Sequence, residues 1–387
     1  MKVLFDHQAF LMQTHGGVSR CFAELYKHQT DDCRIDISLL ESNNAYMKEI
    51  GVGKPIGYNY AHFILPFHWP YKGKMFTAYN MLRGRGRDYH WNTYEYNKAE
   101  TIKRLRKGDF DIFHPTFFDD YFLPYLKGKP FVLTIHDMIP ELYPQYFARD
   151  DFQIEKKKIL APKAAAIITV SETTKRDVVN ILNVPEEKVH VVYHGSSFAK
   201  EENITKLYDA PYILYVGERR GYKNFDLFVK FFAPVLKRHN ELSVVCTGKN
   251  FTADEINLMK ELDIKERFIH HWVSTNDEFY SLYNNAVCFV YPSEYEGFGI
   301  PILEAYQADC PVMLNNASCF PEIAGDAALY FIMNEKESNI EEIFEDFYNN
   351  EEARKNLLAK QRERLKRYSW EKSARRMAQI YKSILQS

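Results

Sequence analysis

The stretch Tyr291-Pro-Ser-Glu-Tyr-Glu-Gly-Phe-Gly-Ile-Pro-Ile-Leu-Glu-Ala305 decides the reading of this chain. It follows Ala286-Val-Cys-Phe-Val290, an apolar run that reads as a buried strand. Glu296 then stands at the strand end, and Gly297-Phe298-Gly299 makes a glycine-bracketed turn. Pro301 falls where a helix begins, a place where a missing N–H costs nothing. Glu304 comes one turn later. The free amides of Phe298, Gly299 and Ile300 would point at an anion, and the helix dipole would favour it. Amides for phosphate and two carboxylates for hydroxyls suit a nucleotide sugar. Gly297-Phe-Gly299 also begins a G-x-G-x-x-G pattern, but Ile302 fills its third position, which argues against a dinucleotide.

Working outward, strand-like apolar runs alternate with amphipathic helical ones. Residues 3–5, 112–113, 131–135, 166–170 and 189–192 read as strands of a first half. Residues 212–216, 242–246, 268–269, 287–290 and 312–314 read as strands of a second. Short continuous apolar strands between helices predict parallel sheets covered on both faces. The polar segment Ser196 to Ala210 reads as a linker. Two doubly wound α/β domains would turn their strand C-termini toward a common cleft. After Ser369, a candidate N-cap, Met377, Ile380, Tyr381 and Ile384 form an apolar stripe at helical spacing.

The spacing Glu296-x7-Glu304 resembles the signature of the retaining glycosyltransferases of family 4, which have the GT-B fold. Gly16-Gly17-Val18-Ser19-Arg20 resembles that family's N-terminal glycine loop, and Thr134-Ile-His136-Asp137-Met-Ile-Pro140 its catalytic-histidine strand end. Val170-Ser171-Glu-Thr-Thr-Lys-Arg-Asp177 and Val192-Tyr-His-Gly195 match two further landmarks. Gly217-Glu-Arg219-Arg-Gly-Tyr-Lys223-Asn224 resembles the diphosphate-binding segment. The matches run in family order from about residue 15 to about residue 325.

The resemblance implies an acceptor-binding Rossmann-like domain over 1–197 and a nucleotide-sugar-binding one over 198–370. It also implies a helix over 371–387 that crosses back to the first domain. Glu304 would hold ribose hydroxyls, and Glu296 would hold hydroxyls of the donor hexose. Lys223 and Arg219 would neutralise the diphosphate as the glycosidic bond breaks. Many relatives have Arg-Lys where this chain has Tyr222-Lys223, so Arg219 is preferred over Arg220 as the second cation. His136 would contact the transferred sugar, and Gly16 and Gly17 would let backbone approach the diphosphate. For Arg20 an added charge and an ordinary surface arginine stay open, as do ring support and loop capping for Asp137. The resemblance implies retention of configuration without an essential metal or other cofactor. The partners expected are a nucleotide diphosphate sugar and a glycan or lipid-linked acceptor.

Charge is balanced, with 50 basic and 52 acidic residues, so no global field favours nucleic acid. Six cysteines without a C-x-x-C suit a reduced, cytoplasmic setting. No apolar run approaches the roughly 18 residues of a membrane span. Asp109-Phe-Asp111 is a D-x-D, a metal-holding pattern elsewhere, but it stands at the start of a strand and reads as a structural loop. Residues 58–97 read as an insertion in which Trp69, Tyr71, Phe76, Tyr79, Tyr89 and Trp91 interleave with Lys72, Lys74, Arg83, Arg85 and Arg87. Acceptor recognition, peripheral contact with an anionic membrane and a solvated arm remain open for it. Two other functions stay in view: a sugar-nucleotide epimerase of similar architecture, and a non-catalytic binding relative.

Overall fold

The computed structural model describes residues 1–56, 69–83, 91–147, 151–198 and 204–386. In the first half the strands are β1 (Lys2–Phe5), β2 (Arg34–Ile37), β3 (Ile112–His114), β4 (Val132–Ile135), β5 (Ala166–Thr169) and β6 (Val189–Val191). In the second they are β7 (Tyr212–Tyr215), β8 (Ser243–Cys246), β9 (Phe268–His270), β10 (Cys288–Tyr291), β11 (Val312–Asn315) and β12 (Leu329–Phe331). Every ladder is parallel. The first half runs β2-β1-β3 and β4-β5-β6, and a parallel bridge from Phe113 to Phe131 joins the two groups. The second half is one sheet, β12-β11-β10-β7-β8-β9. Its strand order reverses between β7 and β10, where such sheets open a crevice for ligands.

The central strands β4, β5, β7, β8, β10 and β11 are buried along their whole length, as their unbroken apolar runs predict. β2 and β12 were not anticipated. They are edge strands with only partial burial, and their sequences RIDI and LYF lack a long apolar run. The insertion also differs from its reading. Lys72–Leu82 is a helix, and Trp91–Lys107 is a single helix that passes through residue 97. Asn97 ties that helix to the domain: its Oδ1 accepts from the Leu40 amide at 2.7 Å, and its Nδ2 donates to the Glu41 carbonyl at 3.1 Å. Residue 97 is therefore no boundary. Arg85, Arg87 and Tyr89 lie outside the described residues, as do positions 199–203 of the linker.

The helix Trp370–Gln386 carries its apolar stripe into the core of the first half. Trp370, Ala374, Met377, Ile380 and Tyr381 join Val3, Phe5, Phe22 and Ile112 in one buried cluster. The Ser369 hydroxyl accepts from the Lys372 amide at 3.3 Å, as expected of an N-cap. Tyr381 Oη lies 2.6 Å from His114 Nδ1, and His114 Nε2 lies 2.8 Å from Thr134 Oγ1. The linker and the returning chain cross tightly here. A Cβ on Gly195 would stand 2.4 Å from the Trp370 nitrogen.

Four histidines of the first half, His7, His114, His136 and His194, are held away from water, and burial disfavours the charge of each. Burial pushes His7 down to about 4, His114 to about 3 and His136 to about 4. Each is neutral when folded and takes a proton on unfolding at mildly acid pH. Above the ordinary value near 6.5 neither state binds the proton, so stability does not depend on these groups. Below it the unfolded chain binds more protons, and stability falls by up to about 1.4 kcal/mol per pH unit for each histidine until the folded value is reached. Urea unfolding should give a flat midpoint from pH 8 to 7 and a steep decline from pH 6.5 to 4.5. A midpoint that does not change between pH 7 and 5 would contradict the neutral assignment.

Candidate functional site

The cleft lies where the two sheets turn their strand C-termini toward each other, and it encloses about 450 Å³. Its second-half wall is the turn after β10. Gly299 takes φ +88°, which glycine adopts freely. It precedes the helix Ile300–Gln307, with proline in its first turn as predicted. Among the described residues, the amides of Phe298, Gly299 and Ile300 have no hydrogen-bond acceptor. They are open to a bound anion. Ser318, itself at φ +52°, holds the Glu296 backbone: its hydroxyl accepts from the Glu296 amide at 3.2 Å and donates to the Glu296 carbonyl at 2.8 Å.

The first-half wall comes from Gln13, Gly17, Val18, His136, Asp137 and His194. Gln13 Oε1 accepts from the Ser19 amide at 3.2 Å and so caps the helix Gly17–Lys27. A Cβ on Gly16 would lie 2.2 Å from that oxygen, so a larger residue there would push the Gln13 side chain from its capping position. A Cβ on Gly17 would sit 3.8 Å from Ile300 Cδ1, so the two helix starts face each other across the cleft. His136 is stacked at 5.9 Å on His194, and its Nε2 is buried without a partner among the described residues. Asp137 Oδ1 accepts from the Ile139 amide at 3.0 Å, which makes this side chain a loop cap.

Lys223 and Glu296 form an ion pair at 2.5 Å on the floor of the cleft. Burial opposes the lysine's charge, but Glu296 and then Tyr222 outweigh it and raise its pKa. Lys223 is the one cation lining this cleft among the described residues. Glu304 is buried behind the turn. Its Oε1 pairs at 2.5 Å with the Arg20 guanidinium, and its Oε2 accepts from Tyr283 Oη at 3.2 Å. Arg20 thus bridges the two halves.

The structure does not bring Arg219 into the cleft. Its guanidinium turns away, pairing with Glu255 at 3.0 Å and donating to the carbonyls of Thr247, Lys249 and Asn250. Phe225 and Phe251 lie against it. Arg220 is exposed. The adjacent positions 219 and 220 point to opposite environments, so Arg219 is not placed as the second diphosphate cation that the resemblance implies. Gln13, Tyr283 and Ser318 were not singled out in the sequence, where nothing marks their distant partners. Asp111 accepts from the Lys2 amide at 2.7 Å, and Asp109 pairs with Lys107 at 3.0 Å, at the strand end away from the cleft.

Arg219 therefore organises a loop. Arg219→Ala would leave Glu255 buried without its cation, which costs about 3–5 kcal/mol. Arg220→Ala should change stability by less than about 0.5 kcal/mol. Urea denaturation of the two variants checks this, and equal stabilities would overturn it.

A family model described as Glycosyltransferase Family 4 matches residues 15–197, and one described as Glycosyl transferases group 1 matches residues 197–364. The O-antigen chain mannosyltransferase RfbU of Salmonella typhimurium is 31% identical over 218 residues, which is 56% of this chain and 60% of that protein. The match thus spans less than two thirds of that relative. O-antigen chain mannosyltransferase B of Escherichia coli is 26% identical over 281 residues, 68% of this chain and 73% of that protein. Among solved structures, Anabaena Alr3699/HepE in complex with UDP and glucose aligns with TM-score 0.71 at 15% identity, over 99% of this chain and 100% of that one. Sucrose-phosphate synthase of Thermosynechococcus elongatus aligns with TM-score 0.71 at 14% identity, over 99% and 98%. With consecutive models meeting at residue 197 and the whole architecture shared with these structures, the chain belongs to glycosyltransferase family 4 and has the GT-B fold.

Proposed function

We propose that this protein transfers a hexose from a nucleotide diphosphate sugar to a hydroxyl of a glycan or lipid-linked acceptor, with retention of anomeric configuration and without an essential metal. The observation that carries the reading is the meeting, in one cleft, of the open amides at 298–300, the Lys223–Glu296 pair and the His136 strand end. The diphosphate would lie against the amides with Lys223 beside it. As the glycosidic bond breaks, negative charge grows on the leaving phosphate, where a prepositioned cation and helix start lower the barrier. Glu296 would release part of its contact with Lys223 to sugar hydroxyls. Ribose would take lone pairs of Glu304 that Arg20 and Tyr283 leave free, since a carboxylate offers about four. In the proposed retaining course, the acceptor attacks from the side the diphosphate leaves, and the leaving phosphate helps accept its proton. Mannose is the first hexose to test, because two relatives are named mannosyltransferases. No helix among the described residues is long and apolar enough to cross a membrane. A cytoplasmic site of action, with peripheral membrane contact through the 58–97 region, remains part of the proposal.

A panel of nucleotide diphosphate hexoses, incubated with and without glycan acceptor, tests the reaction class. Transfer that requires acceptor, survives chelator and keeps the donor's anomeric configuration by NMR is the expected outcome. Release of free nucleotide without need of acceptor would point to an epimerase, and absence of any turnover to a binding protein. Glu304→Ala should weaken the free nucleotide diphosphate roughly tenfold or more, because charge-assisted bonds to ribose are worth about 1.5–3 kcal/mol. Glu296→Ala should lower turnover more than nucleotide affinity. Calorimetric titration beside steady-state rates checks both, and unchanged affinity in Glu304→Ala removes the ribose assignment.

A further inference from the structure

A second cavity, of about 440 Å³, opens in the first half between residues 10–14, Asn43 and the start of the helix Trp91–Lys107. Gln13 lines both this cavity and the cleft that holds Lys223 and Glu296, so the two spaces adjoin.

The cavity is built without charge. None of its described lining residues is acidic or basic. Phe10, Leu11 and Ile56 give it apolar walls. Tyr94 adds an aromatic wall that is held in place. Its Oη donates to Asp119 at 2.5 Å, and its ring meets His7 edge-on with centroids 5.1 Å apart. Among these surfaces stand neutral polar groups without partners. Gln13 Oε1 accepts from Ser19, but its Nε2 has no acceptor among the described residues. Asn43 Oδ1 accepts from the Ile56 amide at 3.0 Å, and its Nδ2 likewise has no acceptor. The Thr14 hydroxyl makes no hydrogen bond to a described residue.

This chemistry separates ligand classes. An anionic group would lose its water here and find no cation. An alkyl chain would suit the walls but strand two amides and a hydroxyl. A sugar ring meets both conditions: its C–H face packs on Tyr94 and the aliphatic wall, and its hydroxyls pair with the amides. We propose that this cavity is the acceptor subsite and selects an uncharged sugar residue. The acceptor is then the neutral end of a glycan, not a sugar joined directly to a lipid diphosphate, whose phosphates would meet walls that hold no cation. This rests on the glycosyltransferase reading above. One hydroxyl oxygen of the seated sugar forms the new bond to the anomeric carbon as the bond to the diphosphate breaks, and its proton passes to the leaving phosphate.

Saturation-transfer NMR on the whole protein tests the site without a donor. The probes are methyl mannoside, glucoside and galactoside, their matching methyl uronosides, in which a carboxylate replaces the hydroxymethyl group, and dodecyl phosphate. At least one hexoside should bind, at least about tenfold more tightly than its uronoside. Asn43→Ala, shown folded by its thermal transition, should weaken that hexoside about three- to tenfold, the loss of one neutral hydrogen bond, and leave nucleotide diphosphate affinity within about twofold. Ile56→Lys should narrow or reverse the preference over the uronoside. A uronoside that binds the native protein as well as its hexoside overturns the proposal, as does dodecyl phosphate binding in place of any sugar. Unchanged hexoside affinity in Asn43→Ala with unchanged preference in Ile56→Lys puts the sugar elsewhere and overturns it too. If nucleotide diphosphate binds and no hexoside does, the donor reading stands and the acceptor assignment falls. If hexoside binds here and no nucleotide does, the glycosyltransferase reading falls, and the acceptor assignment with it.

Discussion

No side chain can stand at position 297. A Cβ there would lie 2.0 Å from the His136 carbonyl oxygen, so the turn after β10 touches the end of β4 backbone to backbone. Real Cβ atoms do not approach so closely, and any larger residue would force the halves apart. Several contacts depend on this approach. The Glu322 carboxylate accepts from the amides of Glu172 and Thr173 at 2.7 and 3.0 Å, so a residue of the second half caps a helix of the first. Tyr295 Oη donates to Asp177, and Tyr222 lies among Tyr143 and Tyr146. Gly221, at φ +53°, leaves no room for a side chain against the Tyr146 ring. The amides, the Lys223–Glu296 pair and His136 share one cleft because backbone closes against backbone here.

Four ion pairs in and around the cleft are formed before any ligand arrives. Lys223 holds Glu296, Arg20 holds Glu304, Arg219 holds Glu255, and Lys157 holds Glu141 at 3.0 Å. Single charges at such depth would be strongly disfavoured, so pairing is what allows them to be present at all. It also fixes their directions. A ligand that enters meets oriented dipoles and ions and need not reorganise them, the condition under which electrostatic stabilisation of a transition state is largest.

Features set by short-range chemistry were legible in the sequence. The glycine turn, Pro301 and the two glutamates fall within fifteen residues, and central strands show as unbroken apolar runs. What escaped notice depends on residues far away in the chain. Arg219 and Arg220 are neighbours, and only Glu255 and the 247–250 carbonyls decide which of them is buried. β2 and β12 escaped because an edge strand needs no continuous apolar run. Residue 97 looked like the end of an aromatic, basic segment, yet Asn97 belongs to the middle of a helix whose anchor is the backbone at 40–41.

The returning helix has a consequence for biosynthesis. Trp370, Met377 and Tyr381 fill the core beside β1, and Tyr381 closes the hydrogen-bond chain through His114 to Thr134. During translation, domains commonly fold in order as they emerge. Here the first domain to emerge waits for residues about 380 positions along the chain before its interior is complete. Until then Phe5, Phe22 and Ile112 present an uncovered apolar face beside the nascent second domain. The first half is thus the part of the nascent chain most in need of chaperone protection, and the last helix is the step that ends that need.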